Sequence, residues 1–284
     1  MDHSSAPRTV VITGASDGIG AAAARRLAQH GHDVVVVGRS AQKTAAVAGA
    51  LGGRHFTADF ARFDDVRRLA RELTDAAPRI DVLVNNAGGI FDRREPTPDG
   101  HERTLQVNHL SPFLLTHLLL GPLLAGGGAV VNTSSSAARI GRIRPGHLDG
   151  GRRWSPLRAY GDSKLANVLF TRGLHRRFAA QGLAAAAFHP GAVATNFSSG
   201  TATSLAPLWG TRLGRRFLRT PEQGAETLVW LAGGTPGRDW QSGGYYEDKS
   251  PARTHRRAGD DALVEAFWAR SAELVGLTPE SSAR

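Results

Sequence analysis

Seven short runs rich in β-branched and other apolar residues, at 9–13, 34–37, 54–58, 82–84, 129–132, 184–188 and 243–246, recur along the chain. Helical stretches over 18–30, 41–51 and 64–76 separate the first four. Most of the runs are continuously apolar instead of alternating, which marks strands covered on both faces. Strand after strand with a helix between requires parallel pairing, and right-handed crossovers then put helices on both sides. The expected fold class is α/β, a doubly wound parallel sheet.

A chain of 284 residues without cysteine can bury a sizeable core with no disulfide or thiolate metal site. One domain over 1–284 is expected, for no repeat or linker interrupts it. Two irregular stretches, 137–158 and 198–219, read as binding loops, and 277–284 as a loose tail. Ile140, Ile143, Leu148, Trp154, Leu205, Leu208 and Trp209 within them predict partly apolar substrate walls, with arginines between.

The N-terminus lacks the apolar core of a signal peptide, and Pro112, His117, Gly121 and Pro122 break the longest apolar stretch. A soluble, cytoplasmic protein with no membrane span is expected. The net charge of +10 comes almost wholly from arginine, since Lys43, Lys164 and Lys249 are the only lysines. The arginines fall in scattered pairs, which argues for solvated faces and against a nucleic-acid partner. The eleven histidines show no HExxH spacing, so no metal site is expected.

The first run ends in Thr13-Gly14-Ala15-Ser16-Asp17-Gly18-Ile19-Gly20, directly before a helix. Glycines there allow a tight turn and let a pyrophosphate approach main-chain N–H groups at the helix start. Further along come Asn86-Ala87-Gly88 after the fourth run, Tyr160-Gly-Asp-Ser-Lys164, and Pro190-Gly191 after the sixth. Tyr160 and Lys164 are four apart and share one helix face. An ammonium beside a phenol favours the phenolate and is expected to lower its pKa.

This ordered set resembles the short-chain dehydrogenase/reductase family. The wording of 107–116 and 189–195 is similar to its retinol-dehydrogenase-like group. The resemblance implies a Rossmann fold and hydride transfer between a nicotinamide cofactor and a carbonyl or alcohol carbon of a small molecule. It assigns catalysis to Asn108, Ser135, Tyr160 and Lys164, with Ser134 and Ser136 as neighbouring hydroxyls. Asn108 is expected to bend its helix and hold a water linked to the lysine; by propensity alone it is also a helix cap.

Cofactor contacts are implied for Gly14, Ser16, Asp17, Gly18, Ile19, Gly20, Arg39, Asp59, Phe60, Asn86, Ala87, Gly88, Tyr160, Lys164, Pro190, Gly191, Val193 and Thr195. Gly38-Arg39-Ser40 carries no carboxylate where NAD-binding relatives place one, and Arg39 matches a 2′-phosphate, so NADP(H) is favoured over NAD(H). Asp17 opposes this if it faces that phosphate, and is neutral to it if it caps the helix. Relatives often form homodimers or homotetramers through the helices after Asn108 and after Tyr160. A catalytically silent NADP(H) sensor on the same fold is the rival reading, against which all four catalytic residues stand. A sugar-nucleotide epimerase also uses Y-x-x-x-K, but with shorter glycine spacing and a larger C-terminal region.

Overall fold

The computed structural model describes residues 7–148, 154–193 and 218–277. Seven strands run parallel in one sheet: β1 (Thr9–Thr13), β2 (Asp33–Gly38), β3 (Arg54–Thr57), β4 (Val82–Asn85), β5 (Ala129–Thr133), β6 (Ala184–His189) and β7 (Gly244–Glu247). Their order is β3-β2-β1-β4-β5-β6-β7, and β8 (Ser250–Pro251) closes the edge antiparallel to β7. The order reverses direction between β1 and β4, and in such sheets ligands bind beyond the carboxyl ends of the strands at that switch.

Each strand divides its apolar residues between two layers, as the pleat requires. Val10, Ile12, Val34, Val36 and Val84 face α1 (Gly18–Gln29), α2 (Ala41–Leu51) and a helix over Pro221–Gly233. Val11, Val35, Val37, Leu83 and Val130 face the opposite layer. That layer holds α3 (Phe63–Ala76), the segment 103–125 and two helices over Pro156–Phe178 and Asp261–Leu274.

The segment 103–125 is irregular. It holds α4 (Arg103–Leu105), one π-helical turn (Gln106–Leu110), α5 (Ser111–Leu118) and α6 (Leu120–Ala125). Next come α7 (Pro156–Phe178), α8 (Pro221–Gly233) and α9 (Asp261–Leu274). Caps fix the starts of the helices that carry the site. Asp17 accepts from Gly18 N at 2.7 Å at α1. Ser155 accepts from Arg158 N at 3.3 Å at α7, with Pro156 in the first turn. At α8, Thr220 and Gln223 make a reciprocal capping box.

The predicted strands match β1 to β7 within a residue at each end. The described part of the stretch 137–158 holds only short 3-10 turns before α7 begins. A 3-10 turn occupies Ser136–Ile140, and Ile143 and Leu148 are buried against the core. Among the described members of that apolar set, Ile140 is the strongly exposed one, at 55%. Most of 198–219 and of the tail lies outside the described residues.

Candidate active site

The sharp turn after β1 needs its glycines. Gly14 has φ +66° and Gly18 φ +55°. A Cβ on Gly14 would stand 2.8 Å from Ala87 Cα, and one on Gly20 would stand 2.6 Å from Asn86 Nδ2. The β1 and β4 loops are thus pressed together at the switch point, and hydrogen bonds lock them. Asn86 Nδ2 donates to Thr13 O at 2.9 Å, while Thr13 Oγ1 accepts from both Asn86 N and Ala87 N at 3.0 Å. Thr13, buried at the head of the glycine motif, is a tie that the sequence pattern did not single out. The first N–H groups of α1 open on this corner without partners inside the helix, as at any helix start.

The other wall of the corner is β2. Gly38 has no room for a side chain, because a Cβ would meet Thr44 Oγ1 and approach Ser16 Cβ to 2.8 Å. Arg39 and Ser40 are exposed just beyond it, with Ser40 capping α2. Asp17 does cap α1, and its carboxylate also meets Lys43 Nζ from α2 at 3.6 Å. The acidic residue at this corner is therefore opposed by a lysine that sequence reasoning passed over. Its one signal is a lysine in the first turn of the helix after β2. Asp59 turns inward on its own loop, accepting from Ala61 N at 3.0 Å, and Phe60 is buried.

On α7, Tyr160, Ser163, Lys164 and Asn167 fall on one face, turned to the ends of β4 and β5. Lys164 is 2% exposed, and its Nζ donates to Thr133 O at 3.1 Å. Asn167 donates to the same carbonyl at 3.0 Å. Lys164 Nζ lies 5.5 Å from the centroid of the Tyr160 ring. A Cβ on Gly88 would sit 3.5 Å from that ammonium and 3.0 Å from Asn108 Oδ1, so Gly88 keeps the approach open.

Asn108 lies in the π-helical turn, fully buried. It accepts from Gly89 N at 2.8 Å and donates to Gly89 O at 2.9 Å and to Ser163 Oγ at 3.0 Å. Ser163 in turn donates to Tyr160 O at 2.8 Å, which ties the Asn108 turn to the base of the phenol. The helix is interrupted at Asn108 by this π turn, a form that recurs at functional sites.

The three serines after β5 separate by environment. Ser134 is buried and donates to Lys164 O at 2.8 Å, whereas Ser136 is exposed. Ser135 pairs with the Tyr160 side chain, the position the resemblance selects. Burial pushes the Tyr160 phenol up to about 12, with the Ser135 bond opposing it. Burial pushes Lys164 down to about 8. Without the positive charge of an oxidised nicotinamide, on which the expected lowering also depends, desolvation outweighs the ammonium, which is aimed at Thr133 O.

β6 leads to Pro190 and Gly191, the latter at φ +83°. Val193 pairs with Arg219 in an isolated parallel bridge. Thr195, expected at the nicotinamide, lies outside the described residues. A cavity of about 180 Å³ lies round α7 from Tyr160, between Ile143, Leu165 and Leu263, with Arg142, Arg144 and Arg257 around it. No group of three metal-binding side chains occurs among the described residues. Nor, among them, is any helix long and apolar enough to cross a membrane.

A glycine-bent strand–helix corner at the switch point, with Tyr, Lys and Ser side chains at the neighbouring strand ends, defines a dinucleotide-dependent oxidoreductase. Residues 8–205 match the short chain dehydrogenase family. The chain is 43% identical to the candidate daunorubicin C-13 ketoreductase DnrU of Streptomyces sp. (strain C5), over 95% of this chain and 93% of that one. It is 35% identical to retinol dehydrogenase 13 of Homo sapiens, over 96% and 86%. The RhlG/NADP active-site complex of Pseudomonas aeruginosa superposes with a TM-score of 0.66 at 26% identity, over 84% of this chain and 93% of that one. The chain belongs to the short-chain dehydrogenase/reductase family, in its retinol-dehydrogenase-like group. It is an oxidoreductase of carbonyl and alcohol groups that uses a nicotinamide cofactor.

Proposed function

We propose that this chain is an NADP(H)-dependent carbonyl reductase or alcohol dehydrogenase in which Tyr160 is the general acid and base. The cofactor, when bound, supplies or accepts the hydride. Gly14, Ser16, Gly18, Ile19 and Gly20 would hold its pyrophosphate, Arg39 and Lys43 its 2′-phosphate, and Asp59 with Phe60 would flank the adenine. Asn86 to Gly88, Pro190, Gly191, Val193 and Thr195 would line the remainder. The fit rests on space and charge. Side chains at Gly14, Gly20 and Gly38 would collide with the neighbouring loops of the corner, and Arg39 and Lys43 put two cations just after β2.

In the reductive direction Ser135 donates to the substrate oxygen as negative charge builds there. Tyr160 then passes its proton to that oxygen. A phenol held near 12 is fully protonated at neutral pH and so is loaded for this step. Lys164 stabilises the phenolate that remains, and Asn108 holds the turn on which Ser163 and Tyr160 rest. The observation that carries the reading is the Tyr160–Ser135 pair standing over a buried Lys164. Ketone reduction, as DnrU is named for, and alcohol oxidation, as the retinol dehydrogenase is named for, are the two directions of this one step.

A panel of ketones, aldehydes and alcohols, followed by the absorbance of the reduced nicotinamide, tests the proposal. Turnover of at least one carbonyl with NADPH in preference to NADH is expected. Equal use of both would remove the cofactor assignment, and no turnover with either would remove the enzyme reading.

A further inference from the structure

The turn after β6 is clamped from outside by one arginine. Gly191 is left-handed, and a Cβ there would stand 2.6 Å from Arg219 Cδ and Nε, so the arginine side chain lies flat on the glycine. Arg219 N donates to Ala192 O at 2.8 Å, next to the bridge with Val193. The guanidinium is itself held by Asp248 in a bidentate pair, Nη1–Oδ1 at 2.5 Å and Nη2–Oδ2 at 2.9 Å.

Asp248 and Lys249, in the turn between β7 and β8, are the two non-glycine residues with positive φ among the described residues, at 50° and 60°. Such turns favour glycine or asparagine, and strained positions persist where surroundings over-determine them. Here those surroundings are specific. Arg219 grips Asp248, while Lys249 Nζ meets Glu226 at 2.7 Å and Lys249 N donates to Thr227 Oγ1 at 3.3 Å, both on α8. The Val193 side chain continues the chain of contacts. A Cβ on Gly224 would stand 2.6 Å from Val193 Cγ2 and 3.3 Å from Ile19 Cγ1, so Val193, Ile19 and the first turns of α8 pack without a gap.

We propose that Arg219, oriented by Asp248, is a positioning residue that presses the Gly191–Val193 turn toward Ile19 and so sets the nicotinamide end of the cofactor site. The proposal rests on the function argued above. Arginine suits the task because its planar fork can lie on a glycine while both arms engage one carboxylate. An exposed ion pair adds little to stability, so the pair's effect belongs to geometry. Misplacement by about 1 Å near reacting groups reduces turnover about a hundredfold, which makes a small shift measurable.

The test compares Arg219→Met, Asp248→Asn, the double variant and Arg219→Lys with the parent chain. Three quantities are read: affinity for NADP⁺ and for 2′,5′-ADP, kcat on a carbonyl substrate, and Tm. Asparagine tolerates the left-handed backbone, so Asp248→Asn removes charge without disturbing the turn. We expect Arg219→Met and Asp248→Asn each to lose about tenfold in kcat or NADP⁺ affinity, with 2′,5′-ADP affinity held within about twofold. The double variant should be no worse than the poorer single, and Arg219→Lys should fall between Arg219→Met and the parent.

Unchanged NADP⁺ affinity and kcat in both singles would overturn the proposal. So would losses that multiply in the double variant, or a fall in 2′,5′-ADP affinity and Tm matching the fall for NADP⁺. A parent chain that binds NADP⁺ yet reduces no carbonyl would overturn the enzyme reading and leave the Arg219 proposal to be decided by the affinities. A parent that does not bind NADP⁺ would overturn both.

Discussion

Lys164 is where the chemistry of the site is tuned. One of three lysines among many arginines, it is enclosed, and its pKa stands at about 8 where an exposed ammonium has 10.5. Its charged form is therefore present below about pH 8 and lost as pH rises through that value. Phenolate stabilisation by Lys164 disappears with it, so kcat/KM for reduction should decline above about pH 8. A pH–rate profile that stays level to pH 10 would contradict this role. At the opposite end of the site, Arg39 and Lys43 make the NADP(H) case. Arg39→Asp should move the NADPH-to-NADH ratio of kcat/KM by about tenfold or more toward NADH, the size of one lost charge contact. An unchanged ratio would mean that Arg39 does not face the 2′-phosphate. Much of this was legible in residue identity and order: Ser135 pairs with Tyr160, and Lys164 lies near the Tyr160 ring and, across Gly88, near Asn108. Thr13, Lys43 and Arg219 were not legible, because their roles come from contacts made 74, 26 and 28 positions away, with Ala87, Asp17 and Gly191.

At the scale of elements, the layer of α5, α7 and α9 carries an acid weakness. His109 in the π turn bonds Ser271 Oγ of α9 at 3.0 Å, and His117 of α5 bonds Phe113 O at 2.9 Å. Both rings pack on aromatic neighbours, His109 on Phe267 and His117 on Trp268. Burial pushes His109 down to about 3 and His117 down to about 4, from 6.5. The unfolded chain therefore binds protons that the folded chain refuses. Stability is full above about pH 6.5 and falls with pH through the window down to about 4 and then 3. Near pH 5 the two histidines together should lower stability by about 4 kcal/mol. Thermal unfolding at pH 7 and pH 5 measures it, and a Tm unchanged between them would contradict neutral burial of these rings. The strands β1, β2, β4, β5 and β6 were readable because buried parallel strands are apolar along most of their length, whereas β3, at the edge, has no buried residue. Helices α8 and α9 lie past the last motif, and β8 is two residues long, too short for any pattern. The π turn leaves no signature of its own, since one inserted residue does not disturb a run in which nearly every position is buried.

The whole molecule joins these scales through one sheet whose order reverses between β1 and β4. At that reversal the site gathers residues from strand ends and the turns after them, from the first turns of α1 and α2, from the π turn that carries Asn108, and from the face of α7 toward them. The same layout bears on assembly. Relatives often associate through the helices after Asn108 and after Tyr160, here α5 and α7. In this chain Trp268 of α9 packs on Phe113 and His117 of α5 and on Phe170 and Phe178 of α7. Its own C-terminal helix thus covers that ground, and sedimentation should show a monomer. A dimer in sedimentation, broken by substitution of the exposed Leu157 or Arg176 of α7, would contradict the expectation.

The central claim is that the Tyr160 hydroxyl moves the proton while the surrounding corner holds NADP(H). Tyr160→Phe removes one oxygen and leaves the ring and the fold in place. Turnover of a carbonyl that the parent reduces should fall by several orders of magnitude, with NADPH affinity within about threefold of the parent. A variant that keeps turning over the same carbonyl would contradict the account.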